Sequence, residues 1–397
     1  MSIREHLMNI AILIPVPPSK HGFTNNVKLQ QAISCITDEI TYVFTDTPYP
    51  YPIKGCEVVP IRSDFLFPLR LARKAKNLGV NILNIPYIYS LYGNGKKGSM
   101  ILISSAFNIL TILVLCRLYR IKSVLTIHSV ITNITKESTL KNYKNKKYLN
   151  CFIGIFNSLL CKLPYTIVTL SKFQGEALSK FVNDQRLYII PHGMDTGPVF
   201  KMDHSFFTFL FFGMIRPNKG ILVLLSAFQQ FAHRNKSAKL VIAGGYIDSH
   251  IKEYEEYFQK VKTRISEMTN FMMNVEFRDG WISEQDAIEL ISASDCIVLP
   301  YVDTANEVSG VVASFSFLGV PFIVSDIIRF RAIMSEEEAL FVPPGNDSAL
   351  CQAMEKIFSD SKMRMRMTRA LISKANNYSW KKIAQQYIQV YEKLLTG

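Results

Sequence analysis

Two short turns in the second half of the chain carry residues that could hold phosphate groups. The first, Phe211–Gly220, follows an apolar run and contains Gly213, Arg216 and Lys219. Glycine lets the backbone approach a ligand closely, the guanidinium of arginine can form two hydrogen bonds to phosphate oxygens, and lysine adds a point charge. This spacing favours an anion-binding turn, although a solvated basic turn has the same composition.

The second turn lies about 90 residues further on and combines an acid with small residues. Glu307 precedes Ser309, Gly310 and Val311, where an apolar helix is predicted to begin. Small residues expose the amides of a helix N-terminus, which attract anions. Two such turns on neighbouring strands would suit a diphosphate, and Glu307 would suit the hydroxyl groups of a sugar or ribose. A helix N-terminal acid that favours the macrodipole is the plainer interpretation of Glu307.

These turns need parallel strands behind them, and the pattern of the chain predicts two sets. Continuous apolar runs such as Asn9–Val16 alternate with helical stretches, which is typical of open parallel α/β sheets. The turn-rich segment Pro191–Pro198 separates the two series. We therefore predict an N-terminal Rossmann-like domain over 1–195, a C-terminal one over 205–377, and a closing helix over 378–397 that packs back on the first domain.

Composition and charge limit the class of partner. The 397 residues carry a net charge of +13 with 48% hydrophobic residues, which excludes a disordered chain. The first 200 residues hold 23 basic and 10 acidic side chains, so this half suits an anionic partner. Lysines cluster over Lys136 to Lys147 before the apolar stretch Leu149–Leu160, which predicts either a helix on an anionic membrane or a solvated loop before a core helix. Nucleic acid is disfavoured, because no aromatic residues interleave with these lysines.

The remaining features favour a cytoplasmic protein. Seven scattered cysteines with no C-x-x-C pair indicate reduced thiols, and the apolar run Ile10–Pro15 is too short for a signal peptide. Gly98–Cys116 is uncharged over 19 residues, but its polar first half favours a buried helix over a membrane span.

The ordered motifs along nearly the whole chain resemble one family, the GT-B nucleotide-sugar glycosyltransferases of family 4, also called group 1. The matching segments are Leu170–Phe173, Ile190–Asp195, Phe212–Gly220, Ser309–Pro321 with Ser325–Asp326, Ala339–Asn346 and Tyr378–Tyr391. The resemblance implies two Rossmann-like domains that face an interdomain cleft. It also implies a nucleotide-diphosphate sugar as donor substrate and transfer that retains the anomeric configuration without a metal ion or other cofactor.

The resemblance also implies roles for individual residues. Arg216 and Lys219 would hold the donor diphosphate with Gly213 and the amides of Ser309, Gly310 and Val311. Counted back from Gly319–Pro321, the two glutamates of the family, eight positions apart, fall on Ser314 and on Asn306 or, with a shift of one residue, Glu307. Glu307 would contact the sugar, and Ser314 would bond a ribose only weakly. His128 and Gly22 would lie on the acceptor side of the cleft. His192 and Asp195 are interpreted as hinge and turn residues.

The sequence therefore predicts a glycosyltransferase that acts on a glycan or polyprenyl-linked acceptor in bacterial surface-polysaccharide synthesis. It would be cytoplasmic, or peripheral on the inner face of the cell membrane. A non-catalytic sugar-nucleotide or membrane-binding protein of the same fold is the alternative, and a sugar-nucleotide epimerase of similar build stays open.

Overall fold

The chain forms two α/β units. The computed structural model describes residues 8–14, 24–37, 41–45, 53–62, 64–88, 98–128, 146–198, 205–245, 252–270, 273–302 and 309–396. Of these, unit 1 contains residues 8–193 and 378–396, and unit 2 contains residues 194–302 and 309–377.

Each unit is built on one sheet in which every strand is parallel to its neighbours. Unit 1 has seven strands in the order β3-β2-β1-β4-β5-β6-β7, and unit 2 has six in the order β10-β9-β8-β11-β12-β13. Most of these strands are short apolar runs buried along their length, as sheets covered on both faces require. The strands are β1 Ile10–Ile14, β2 Thr41–Thr45, β3 Cys56–Pro60, β4 Ile82–Tyr87, β5 Lys122–Ile127, β6 Thr166–Thr169, β7 Leu187–Ile189, β8 Phe207–Phe212, β9 Ala238–Gly244, β10 Val275–Asp279, β11 Cys296–Leu299, β12 Phe322–Ser325 and β13 Ala339–Val342.

Thirteen α-helices lie within the described residues. They are α1 Thr24–Ser34, α2 Phe67–Asn77, α3 Gly98–Leu118, α4 Lys146–Lys162, α5 Lys172–Leu178, α6 Ile221–Ala232, α7 Lys252–Asn270, α8 Glu284–Ser292, α9 Gly310–Phe315, α10 Ile328–Arg331, α11 Asp347–Ser359, α12 Ser361–Asn377 and α13 Trp380–Thr396. In the described parts of the chain, none is both long enough and apolar enough to cross a bilayer.

The last helix, α13, belongs to the core of unit 1. Its residues Ile383, Tyr387 and Tyr391 pack with Ile10 of β1 and Ile82 of β4 in one buried cluster. At the start of this helix, the Trp380 ring lies so close to Gly193 that a Cβ atom there would come within 2.2 Å of it. The glycine of the Ile190–Asp195 motif therefore makes room for the helix that closes the unit.

A buried polar network joins α13 to the middle of the sheet. Asn84 of β4 donates from Nδ2 to the Tyr391 hydroxyl at 3.0 Å and accepts a hydrogen bond from Thr126 Oγ1 at 2.8 Å. All three residues are buried. Since a buried polar group without a partner is destabilising, this network fixes the position of α13 on the sheet.

The predicted pair of parallel α/β domains is confirmed. The apolar runs of the sequence do not predict β3 or β13, which are edge strands. The helical pattern over Thr139–Cys161 predicts a helix there, and α4 spans Lys146–Lys162. The stretch 139–145 lies outside the described residues.

Tyr391→Phe tests the buried network. We expect this substitution to lower the free energy of unfolding by about 1 to 3 kcal/mol, because the Asn84 amide loses its acceptor in a site that water does not reach. Tyr378→Phe is the control, since Tyr378 is exposed. Urea unfolding followed by Trp380 fluorescence, in a Trp281→Phe background, reports on unit 1. Equal stability of the two variants would show that the network contributes little.

Candidate functional site

The strand order of unit 2 reverses between β8 and β11, and the candidate site is built on the loops that follow these two strands. In open α/β sheets, ligands bind beyond the carboxyl ends of the strands at such a switch point. The loop after β8 is the predicted turn with Gly213, Arg216 and Lys219, and the loop after β11 begins at Pro300.

Backbone hydrogen bonds fix the first part of the turn. The Gly213 N–H donates to Ala243 O at 3.0 Å, and the Ile215 N–H donates to Gly245 O at 3.1 Å. Gly213 has a φ of 144°, a conformation that side chains rarely adopt. The chain is thereby held against the end of β9 before it reaches Arg216.

The second part of the turn is tied to the loop after β11. Residues Pro217–Lys219 form a short 3₁₀ turn that ends at Gly220, whose φ is 67°. A Cβ atom on Gly220 would lie 1.9 Å from Pro300 O, and the Val302 N–H donates to Asn218 O at 3.0 Å. Only glycine fits this approach, so the two loops form one rigid surface.

Two buried cations lie beside the ring of Tyr301. Lys219 is 9% exposed, with Nζ 3.8 Å from the ring centroid, and Arg329 is 6% exposed, with Cζ 5.8 Å from it. Arg329 lies on α10, just beyond β12. The ring face attracts cations and helps to keep them in a poorly solvated place. Three neighbouring strand ends thus contribute to one positively charged surface.

Arg216 is positioned differently. Its backbone is extended at the start of the 3₁₀ turn, and its guanidinium lies 5.4 Å from the ring centroid of Tyr254 on α7. The structure therefore brings Gly213, Arg216 and Lys219 together on one loop, with Arg216 directed toward a different aromatic ring from Lys219.

The predicted second turn begins at helix α9. The Ser309 hydroxyl caps this helix by accepting a hydrogen bond from the Val312 N–H at 3.5 Å. Gly310 and Val311 supply the first helical amides, which have no partner within a helix of this kind. A Cβ atom on Gly310 would meet nothing within 4 Å, and Ser314 is half-buried one turn further on.

Several predicted residues cannot be placed. Glu307, Gly22 and the lysines Lys136, Lys141 and Lys144 lie outside the described residues, and α4 begins with Lys146 and Lys147, whose side chains are not described. Their roles stay predictions. Across the described ranges, no group of three or more His, Cys, Asp or Glu side chains is arranged to hold a metal ion.

In unit 1, His128 directly follows β5 and lies beside His192, with ring centroids 5.1 Å apart. His128 Nε2 is shielded from solvent and has no hydrogen-bond partner among the described residues. The backbone carbonyl of His128 accepts from Gln174 Nε2 at 3.0 Å. Burial lowers the pKa of His192 to about 4; burial, reinforced by His192, lowers that of His128 well below its usual value. Both imidazoles are therefore neutral at pH 7.

Sequence reasoning missed three of these residues. The apolar runs Cys296–Leu299 and Pro321–Val324 predict strands, and Tyr301 and Arg329 lie shortly after them, so a position beyond a strand end was the available signal. His192 was interpreted as a hinge residue, yet its ring lies against His128.

Comparison with known families identifies the domain that carries the cationic surface. Residues 207–360, all but a few of them in the described part of unit 2, match the family described as "Glycosyl transferases group 1". Unit 2 contains a group 1 glycosyltransferase domain. The family predicted from the motifs is thus confirmed over residues 207–360, and the loop after β8, with Arg216 and Lys219, lies inside this matched region.

Individual proteins resemble longer parts of the chain. A phosphatidyl-myo-inositol mannosyltransferase of Mycobacterium leprae (strain TN) is 25% identical over 193 residues, 48% of this chain and 47% of the relative. The chain spans about half the length of the curated relatives it matches. A glycosyltransferase from Rickettsia africae ESF-5 shares the fold with a TM-score of 0.71 at 16% identity, covering 98% of this chain and 99% of the other. Anabaena HepE in complex with UDP-glucose gives a TM-score of 0.71 at 13% identity, covering 97% and 100%.

Gly220→Ala tests the rigid connection between the two loops. We expect it to destabilise the glycosyltransferase domain by more than about 2 kcal/mol, because a positive φ and a clash with Pro300 O combine. Gly310→Ala is the matched control, and it should change stability by less than about 1 kcal/mol because open space surrounds its Cβ position. The fluorescence of Trp281 during urea unfolding measures both. Comparable losses of stability in the Gly220 and Gly310 variants would contradict a rigid connection of the two loops at Gly220.

The histidine pair predicts how stability depends on pH. An unfolded histidine binds a proton near pH 6.5, whereas folded His192 does so near pH 4. Between these values the unfolded state binds more protons, so the free energy of unfolding decreases as the pH falls, by up to about 1.4 kcal/mol per pH unit for each histidine.

His192→Gln should flatten this dependence between pH 6.5 and 4.5, measured by urea unfolding with Trp380 fluorescence in the Trp281→Phe background. His233→Gln is the control, because His233 is exposed and belongs to unit 2. An unchanged slope in the His192 variant would mean that the pair is not the source of the pH dependence.

Proposed function

We propose that this protein is a retaining, metal-independent glycosyltransferase that moves a sugar from a nucleotide-diphosphate donor to a glycan or lipid-linked acceptor. The observation that carries the proposal is the buried Lys219, on the loop after β8, against Tyr301, on the loop after β11. A buried cation at the switch point of a parallel sheet suits a diphosphate, and the matched family has this activity in its description.

The donor diphosphate is proposed to lie over the loops that follow β8, β11 and β12. Lys219 and Arg329 contribute charge from beneath Tyr301, Arg216 can form paired hydrogen bonds to phosphate oxygens, and the amides of Ser309, Gly310 and Val311 complete the cradle. HepE, a protein with the same fold, is known in complex with UDP-glucose. This supports a UDP-sugar as the first donor to test.

Catalysis would then be mainly electrostatic. When the bond between the sugar and the diphosphate breaks, negative charge builds up on the departing phosphate oxygens. Hydrogen-bonding groups that are already in position stabilise this charge without having to reorganise. The loss of one such group typically slows a reaction about 100- to 1000-fold. The cations would fill the role that a metal ion has in other enzymes. Glu307 would contact the transferred sugar, as the family resemblance implies.

We assign the acceptor to unit 1, through His128 and Gly22. A neutral imidazole can accept a hydrogen bond from a sugar hydroxyl, and His128 Nε2 has no partner among the described residues. The mannosyltransferase relative is named for a phosphatidyl-inositol acceptor, which supports a lipid-linked acceptor here. Contact of Lys136 to Lys147 with an anionic leaflet, and a role in bacterial surface-polysaccharide synthesis, belong to the same proposal.

The second candidate is a protein of this fold that binds a sugar nucleotide without transferring the sugar. Ser314 favours it, because this half-buried serine stands where the family resemblance places a glutamate. Serine bonds a ribose more weakly than a carboxylate does. Binding of a donor without turnover on any acceptor would support this candidate.

Thermal unfolding with UDP-, GDP-, ADP- and CMP-sugars, each with and without EDTA, tests the donor and the metal together. A ligand that binds the folded state at 100 times its Kd stabilises it by about 2.7 kcal/mol, which raises the melting temperature by several degrees. We expect one nucleotide class to give this shift and EDTA to leave it unchanged. A shift that EDTA removes would contradict metal independence, and no shift with any donor would contradict the proposed function.

Lys219→Ala tests the cradle. We expect a folded protein whose transfer rate falls about 100- to 1000-fold and whose donor-induced stabilisation is lost, because the diphosphate loses a buried positive charge. Lys236→Ala is the control, since it removes an exposed lysine from the turn before β9. Donor hydrolysis and transfer are measured by nucleotide release. Wild-type rates in the Lys219 variant would remove this residue from the mechanism.

A further inference from the structure

A basic pocket lies at the amino-terminal edge of the unit 1 sheet, among the residues that precede or begin β4 and β5. Its volume is about 280 Å³, and its lining includes Lys76, Arg120 and Lys122 together with the polar side chains of Asn81 and Tyr119. No carboxylate belongs to the lining. The ion pairs of the described residues include none of these three cations. A concave surface of one charge concentrates ions of the opposite charge.

The backbone under the pocket gives a second, independent observation. Helices α2 and α3 end in the same way, with a residue of positive φ followed by a hydrogen bond back to the last turn. At the end of α2, Gly79 has a φ of 67° and the Val80 N–H donates to Ala75 O at 3.0 Å. At the end of α3, Arg120 has a φ of 59° and the Ile121 N–H donates to Cys116 O at 2.8 Å.

Arginine is the unusual residue at this position. It is the only non-glycine residue with positive φ among those the structure describes. A side chain in the left-handed region is disfavoured, which is why glycine usually ends a helix here, as Gly79 does. The terminal carbonyl groups already receive backbone hydrogen bonds, so the side chain of Arg120 is not needed as a cap. A disfavoured backbone conformation kept for a charged side chain points to a role for that side chain.

The other lining residues suit an anion as well. Asn81 Oδ1 accepts from the Asn9 N–H at 2.7 Å, which orients the amide and leaves its NH₂ group as a donor. The ammonium of Lys122 lies 4.7 Å from the ring centroid of Tyr165, so this residue is anchored at the pocket wall. The Tyr119 hydroxyl adds a further donor.

We propose that this pocket binds a phosphate group, carried by a small phosphorylated metabolite or by a lipid headgroup. Arg120 would form paired hydrogen bonds to the phosphate oxygens, with Lys76 and Lys122 supplying charge. The volume admits a phosphate with a small attached group. The pocket belongs to unit 1 and the donor cradle of the proposed function belongs to unit 2. The two proposals can therefore be tested independently.

The test measures binding of inorganic pyrophosphate by calorimetry at low ionic strength. The background carries Arg216→Ala and Lys219→Ala, so that the proposed donor cradle does not contribute. In this background Arg120→Gly should weaken pyrophosphate binding about tenfold, because one charge-assisted pair is lost. The same variant should unfold at or above the temperature of its parent, since glycine relieves the backbone.

Two further variants and a second probe complete the design. Lys76→Gln should weaken binding to a similar degree, whereas Lys74→Gln removes the same charge from the same helix outside the pocket and should change binding less than twofold. Flotation with vesicles containing 30% phosphatidylglycerol, compared with neutral vesicles, distinguishes the two sources of phosphate. The proposal is supported if pyrophosphate binding or vesicle binding is weakened in the Arg120 and Lys76 variants but not in the Lys74 variant. No binding of either probe, or equal losses in the Lys74 variant, overturns it.

Discussion

The close approach of Gly220 to Pro300 is the constraint on which the candidate site depends. It joins the loop after β8 to the loop after β11, and the hydrogen bond from the Val302 N–H to Asn218 O holds the same pair of loops. Because the strand order reverses between β8 and β11, no helix crosses over this edge between them. Backbone contacts alone thus fix the surface at the carboxyl ends of β8 and β11.

The same principle organises unit 1 at the other end of its sheet. There the last turns of α2 and α3 are closed by backbone hydrogen bonds, and the charged side chains near them are not required for capping. In both units, backbone contacts therefore fix the loops and helix ends that carry these basic side chains.

The sequence predicts local features well and distant contacts poorly. The apolar runs of β1 and β8 are buried strands in any parallel sheet, and Gly213, Arg216 and Lys219 share one loop, so periodicity and a motif suffice for them. Strand β3 escapes prediction because Cys56–Pro60 is only partly buried at a sheet edge and lacks a continuous apolar run. Tyr301 and Arg329 are missed because each lies more than 80 residues from Lys219 along the chain. Only the folded chain places both cations beside the Tyr301 ring.

The two arginines of α10, Arg329 and Arg331, lie in different surroundings. Arg331, also on α10, pairs with Asp326 at 2.6 Å and with Glu336, so carboxylates neutralise its charge. Arg329 lies beside the face of Tyr301, as Lys219 does, and such a ring face attracts a cation. Two arginines on one short helix therefore lie in different surroundings: Arg331 pairs with carboxylates, and Arg329 is buried beside an aromatic ring.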